Sequence, residues 1–468
     1  MRAPITLCIL FAACNSSSAA VYTVGPGGTH ANLDAALATA AVTAGVHEVR
    51  IAAGNHSGDT LQFFSGEVEV DVSGGWDAVF GSRAENASLT VLQGTGAAPV
   101  LQVTGDGGRL ALRNLTLTSP DSQQNEGTCL LLSVLGTHDF SLSDSVVRNC
   151  EGRGVGLCQG NGIRAVAGGA AVVDVVRTHV HGNRCEMART DPDQRVAGSG
   201  TGIHLSATDD AQVQLRGNVV ADNVANSFGA QSDGIGLYVA AYDSADVVVE
   251  RNEVLGNRVV GEAVGAWTPV SQAWGVLLVA GATGGDASVV ARGNVIAENR
   301  FDSPESSGAH VLAVAYGQGS VDLGDSIVAG GVGGPYGLLA QADGADAVVH
   351  LTNLTVADNA GNGIRTFAST GVVTLYNSIA SGNGQPVQLG SEVDQDYNLL
   401  DLHAGFVDAA AGDYRLTEAS PALDIGTLAP PGGLGSTDVG GGARVSGPGV
   451  DLGAWEAVSA AIFADGFE

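Results

Sequence analysis

The stretch Asn218-Val219-Val220-Ala221-Asp222-Asn223 pairs a short β-branched run with an asparagine a fixed step behind it, and the same pattern returns along the chain. It recurs as Val180-His181-Gly182-Asn183, Val254-Leu255-Gly256-Asn257, Val295-Ile296-Ala297-Glu298-Asn299, Val356-Ala357-Asp358-Asn359 and Ile379-Ala380-Ser381-Gly382-Asn383. An earlier copy reads Ser145-Val146-Val147-Arg148-Asn149. One expected copy, Ile327-Val328-Ala329-Gly330-Gly331, carries Gly where Asn is due. A second marker keeps step with the first: Gly, an apolar residue, a variable residue and a small or apolar one, starting at Gly162, Gly202, Gly234, Gly275, Gly308, Gly337 and Gly363. Between the markers lie alternating runs such as Gln212-Val213-Gln214-Leu215, which read as strands.

Two markers advancing together at a period of tens of residues identify a repeat architecture. Each unit offers short strands and no segment periodic enough for a long helix, so sheet hydrogen bonds must run between units. Stacking units at about 4.8 Å gives every strand a parallel partner and buries the Val, Ile and Leu positions in one column. The expected fold is an all-β, single right-handed parallel β-helix with a short N-terminal capping helix. An asparagine at a fixed corner tolerates the left-handed backbone and bonds to its copies above and below. Asn149, Asn183, Asn223, Asn257, Asn299, Asn359 and Asn383 are therefore expected to form a ladder along one corner.

Composition agrees with this reading. Of 468 residues, 69 are Gly and only 5% aromatic, which suits narrow strands and tight turns. The formal charge is −29 and every basic residue is Arg, so no basic patch exists to neutralise nucleic acid or an anionic membrane. Arg2, an apolar run over residues 3–13 and Ser18-Ala19-Ala20 have the form of a cleavable secretory signal. The domain plan is thus a signal at 1–20, the β-helix at 21–456 and a short tail at 457–468. That tail is an expected sorting motif or a last covering strand. The alternative for the N-terminus is an outer-membrane lipoprotein anchored through Cys14. Secretion or cell-surface display follows either way, and Cys129, Cys150, Cys158 and Cys185 are then disulfide candidates whose pairing the sequence leaves open.

Several further segments carry a family resemblance. Tyr22-Thr23-Val24-Gly25-Pro26-Gly27-Gly28 with Leu33-Asp34-Ala35-Ala36-Leu37 resembles the opening strand and capping helix of bacterial β-helix proteins with a choice-of-anchor Q domain. Ser73-Gly74-Gly75-Trp76-Asp77, with Phe80 and Arg83, is similar to that group's next element. Ser420-Pro421-Ala422-Leu423-Asp424-Ile425-Gly426, the stretch from Asp438 to Arg444, and Asp451-Leu452-Gly453-Ala454-Trp455-Glu456 resemble its closing signature. The resemblance implies the fold and a secreted or surface setting, and no particular reaction.

Chemistry has several candidate locations. The variable position after each opening Gly supplies Arg164, His204, Gly236, Leu277, His310, Leu339 and Arg365, an outward strip whose Arg and His would suit an acidic sugar, the alternative being an ordinary solvent face. The longer insertions after the Asn corner carry Arg189, Asp191 and Asp193, then Trp267 and Trp274, then Asp302; Trp beside carboxylates suits a carbohydrate groove, and the favoured alternative is that the loop Trp fold back over the coil as local core. Asp210, Asp286 and Asp346 share a turn register and are weak Ca²⁺ candidates. No other cofactor is expected, and no zinc site, since His179 and His181 lack a third ligand. The Asn-Thr-Asp, Gly-His-Gly and Arg-Ile-Lys motifs of polygalacturonases are absent. The leading expectation is a non-catalytic protein that binds a glycan or envelope component through its side face and corner loops. The alternative is a β-helix polysaccharide lyase or glycoside hydrolase.

Overall fold

The computed structural model describes residues 19–119, 128–152, 157–185, 197–228, 231–262, 270–282, 284–302 and 308–457. One turn of the chain shows how the rest is built. Gln212–Arg216 lies in a first sheet, Val219–Ala221 in a second, Val224–Phe228 in a short fourth sheet, and Leu237–Tyr242 in a third. The next turn repeats the order, with Gln212 paired to Asp246 and Val219 to Glu253, both parallel. Among the described residues, stacking produces parallel sheets of 13, 13, 12 and 5 strands, with an antiparallel hairpin near the C-terminus. This is a right-handed parallel β-helix.

Alternation within each strand sends one set of side chains into the column. Val213 and Leu215, Val220, and Leu237 and Val239 are each no more than 1% exposed and belong to one continuous core cluster. At the N-terminal end the open column is plugged by the helix Leu33–Ala41, which buries Leu33, Ala36, Leu37 and Ala40. Asn32 caps that helix by accepting from the Ala35 amide at 2.9 Å.

The corners use a two-residue device. At the corner after the second sheet, Asn149, Gly182, Asp222, Gly256, Glu298, Gly330, Asp358 and Gly382 all have φ between 53° and 71°. The residue after each one faces inward. The Nδ2 of Asn183, Asn223 and Asn257 donates to the Oδ1 of the next asparagine at 2.9, 2.8 and 3.0 Å, ending on Asn299, and Asn359 donates to Asn383 at 3.0 Å. The expectation that one residue serves as both left-handed corner and ladder is corrected: the two roles fall to neighbours.

Asn149 is corrected with it. Register pairs Arg148 with His181, so Asn149 stands beside Gly182 in the left-handed series, and Cys150 takes the ladder place, its amide donating to Asn183 Oδ1 at 3.0 Å. Cys150 instead bonds covalently to Cys129, with Cα atoms 5.7 Å apart. Cys185 is also disulfide-bonded, and the Cys158 side chain lies outside the described residues.

A second ladder at the corner between the first and second sheets was not anticipated. Asn218 donates to Asn252 at 2.9 Å and Asn252 to Asn294 at 3.1 Å, and Ser326 Oγ takes the next rung, accepting the Asn294 amide at 3.1 Å. Again the preceding residue is left-handed: Gly217, Arg251, Gly293 and Asp325. Each buried amide side chain satisfies a corner carbonyl and amide that the turn would otherwise strand.

Candidate functional site

Register defines the outward strip of the third sheet as Arg164, His204, Tyr238, Leu277, Leu312, Leu339 and Arg365. Gly236 and His310 are not in it. His204 is 7% exposed and stacked on Tyr238, ring centroids 4.3 Å apart. Burial, and then the Arg164 charge, lowers it to about 4. Arg365 binds the Tyr336 hydroxyl, with its guanidinium 5.1 Å from that ring. The central Leu277 and Leu312 are buried with Ala240, Val279 and Val314 in an apolar cluster outside the column. The strip is therefore not a cationic track for an acidic sugar, which corrects the expectation for His204 and Arg365.

His310 points the other way. It pairs with Gly337 in the series of small inward positions, where a Cβ on Gly202, Gly236, Gly275 or Gly337 would meet the ladder amide of the same turn at 2.7–2.9 Å. Only where Gly331 replaces the ladder asparagine does a histidine fill that space, and a Cβ on Gly331 would fall 1.9 Å from His310 Nε2. His310 is 2% exposed and accepts from the Trp274 indole; burial depresses it to about 3, against an upward pull from the backbone of Gly333 and Gly331. Trp274 is fully buried, stacked on Phe301 at 5.4 Å. Both are packing residues: Trp274 is local core, the favoured of its two readings, and the expectation that His310 contacts a ligand is corrected.

Asp302 is engaged by Arg258 and Arg300. Burial pushes its carboxyl up, but the bonds from the two arginines outweigh this and hold it below the ordinary carboxylate range. Asp210, Asp286 and Asp346 share a register, yet Ser244 and Gln318 intervene, leaving two rungs, about 10 Å, between successive carboxylates. They do not meet around one ion, and no group of three metal-ligating side chains occurs among the described residues. Arg189, Asp191, Asp193, Trp267, Cys14 and residues 458–468 lie outside the described residues.

The structure instead opens a cleft where the C-terminal segment folds back. Toward the C-terminus the outer face of the second sheet turns apolar, presenting Ile327, Ala329, Ala357 and Ile379, which Tyr414, Ala454, Leu416 and Leu452 cover. The closing signature locks this cover. Arg444, 2% exposed, donates to the carbonyls of Asp451, Gly453, Ala454 and Trp455 and to Glu456 Oε2 at 2.8 Å. Asp438 accepts the amides of Gly442 and Glu456, and Asp451 those of Asp424 and Ala457. Burial raises both Asp451 and Glu456 above the usual carboxylate range. Arg444 also lies 3.6 Å from Asp325, which Arg292 holds from the other side at 3.2 Å.

Between this cover and the sheet lies a cleft of about 680 Å³. Its floor is Val295, Ala297, Ile327 and Ala329, its far wall runs from Ala409 to Gly412, and Glu298, Asp358 and Tyr414 supply its polar groups. Tyr414 comes from the hairpin strand Asp413–Leu416 and donates to Asp358 Oδ2 at 3.2 Å. Burial, then the charges of Asp358 and Glu298, pushes its phenol far above the ordinary value, so it stays a donor. Glu298 and Asp358 occupy left-handed corner places two rungs apart, with Gly330 between. Size, apolar floor and few convergent polar groups match a small-ligand or saccharide site.

No protein-family model and no curated protein matches the chain. Among solved structures it is similar to pectate lyase Pel9A, at 12% identity and a TM-score of 0.45, over 94% of this chain and 97% of that one. It is also similar to tailspike protein 3 of bacteriophage CBA120, at 11% identity and a TM-score of 0.26, over 81% of this chain and 60% of that one.

Sequence reading passed over Glu298, Asp358 and Tyr414. The available signal was that Glu298 and Asp358 each immediately precede a ladder asparagine. Among that corner's left-handed places, all others are Gly, Asn or Asp, and Glu298 alone is a longer side chain.

Proposed function

We propose that this is an exported, non-catalytic β-helix protein of the choice-of-anchor Q group that holds a glycan in the cleft under its C-terminal cover. The cleft itself carries the reading. An apolar floor two rungs long takes the C–H face of a sugar, while Glu298 and Asp358 accept from hydroxyls and Tyr414 donates. The Arg444 lock keeps these groups preorganised without drawing on them, since its own carboxylates are saturated by backbone amides. An extracellular polysaccharide or cell-envelope glycan is the partner, and Ca²⁺ is not required.

Glu298 and Asp358 are also the two carboxylates that a hydrolase acting in this cleft would have to use as its acid and base. Binding and product release are therefore followed together, on residues 21–468, against a polysaccharide panel with and without Ca²⁺. Binding without products, weakened by Tyr414→Ala, is the expected result. Turnover that disappears in Glu298→Gln or Asp358→Asn would replace the binding role with hydrolysis.

A further inference from the structure

Resting on that glycan-binding reading, we infer that the cleft selects a cationic, amino-sugar-containing glycan over neutral and acidic ones. Several acids elsewhere on the column are engaged by arginine. Asp302 is held by Arg258 and Arg300, Asp322 by Arg292, Asp71 by Arg109 at 3.0 Å and Asp144 by Arg177 at 2.7 Å. The Glu298 side chain is exposed and has no ion pair or hydrogen bond among the described residues, and the Asp358 carboxylate has only the neutral Tyr414 hydroxyl. The residues lining the cleft are Val, Ala, Ile, Gly, Glu, Asp and Tyr, with no Arg or His. Two carboxylates thus share an apolar cleft with no compensating cation.

That arrangement is complementary to an ammonium group. A carboxylate–ammonium hydrogen bond is roughly twice as strong as a neutral one. Placed two rungs apart, about 10 Å from corner to corner, the two acids can meet amines on separate sugars of one extended chain, with intervening rings resting on the part-exposed Val295 and Ala297. A uronic acid polymer would bring carboxylates against Glu298 and Asp358, and against a chain whose formal charge is −29. A fully acetylated amino sugar has the same backbone but no charge to offer.

The test compares hexasaccharides of β-1,4-linked glucosamine, N-acetylglucosamine, glucose and galacturonate by calorimetric titration on residues 21–468, at a pH where the free amine is charged. Glucosamine hexasaccharide is expected to bind about tenfold more tightly than its acetylated form, the scale of two partly exposed ion pairs. Glu298→Gln with Asp358→Asn should erase the difference between the free and the acetylated hexasaccharide and leave the melting profile unchanged. Equal or tighter binding of neutral or galacturonate oligomers would overturn the amino-sugar assignment while leaving a glycan cleft in place. Binding of none of the oligomers would overturn both.

Discussion

Exchanging the two odd residues of one coil should restore what each alone destroys. Gly331→Asn forces a Cβ to 1.9 Å from His310 Nε2 and 2.0 Å from its Cδ2, so the ring must leave a space in which it is fully enclosed. Overpacking of this kind costs about 1–3 kcal/mol. His310→Gly empties the site and strips the buried Trp274 indole of its acceptor, at about 3 kcal/mol from the void and the orphaned donor together. The double variant Gly331→Asn with His310→Gly recreates the arrangement of the turn below, where Gly275 lies against Asn299 Nδ2. Asn299 would then donate to the introduced amide side chain as Asn257 does to Asn299 at 3.0 Å, leaving only the indole unpaired. The double variant should be less destabilised than the sum of the singles by about 2 kcal/mol. Urea midpoints of all four proteins, with hydrogen exchange at the backbone amides of positions 331 and 359, measure the coupling. Strict additivity would show that the two residues do not share one volume.

The remaining predictions concern acid, the C-terminal lock and the disulfide. His204 and His310 are lowered by burial to about 4 and about 3, so the folded state holds them neutral while the unfolded chain takes up protons from about pH 6.5 downward. Their contribution is full above about pH 6.5 and falls toward their folded values by up to about 1.4 kcal/mol per pH unit each; His204→Gln should flatten the slope between these limits in urea titrations, and an unchanged slope would refute the assignment. Asp322, Asp325, Asp451 and Glu456 are shifted upward by burial and act with the opposite sign, their burial penalty easing as pH falls. Asp325→Ala leaves Arg292 and Arg444 facing each other without their shared carboxylate, which should cost about 3–5 kcal/mol and open the C-terminal cover to limited proteolysis. Cutting the Cys129–Cys150 link, separated by 21 residues, with Cys129→Ser and Cys150→Ser should cost about 3 kcal/mol by loop entropy; an unshifted urea midpoint would contradict this.

Residues 218–223 and their copies carried the fold because a parallel β-helix is a one-dimensional problem: each turn packs only on its neighbours, so a local pattern repeated in step is already the global structure. The broken rung at Gly331 was legible for the same reason. Side-chain direction was not. His310 stands level with Gly275, and Leu312, two residues on, stands level with Leu277, so the count from Gly308 runs two residues short and an expected surface histidine faces inward. Asn149 was misplaced likewise, because Cys150 occupies the ladder rung that asparagine holds elsewhere.

The sequence by itself determined the periodic quantities: strands, corners, the stacking direction and the cysteine-rich turns. Only the tertiary structure decided the site, because the cleft joins Glu298 and Asp358 to Tyr414, which stands far along the chain on a hairpin folded back across the sheet. Repetition encodes contacts between successive turns. It contains no information about a non-repeating segment returning over the column, and that return is what puts carboxylates, phenol and apolar floor in one place.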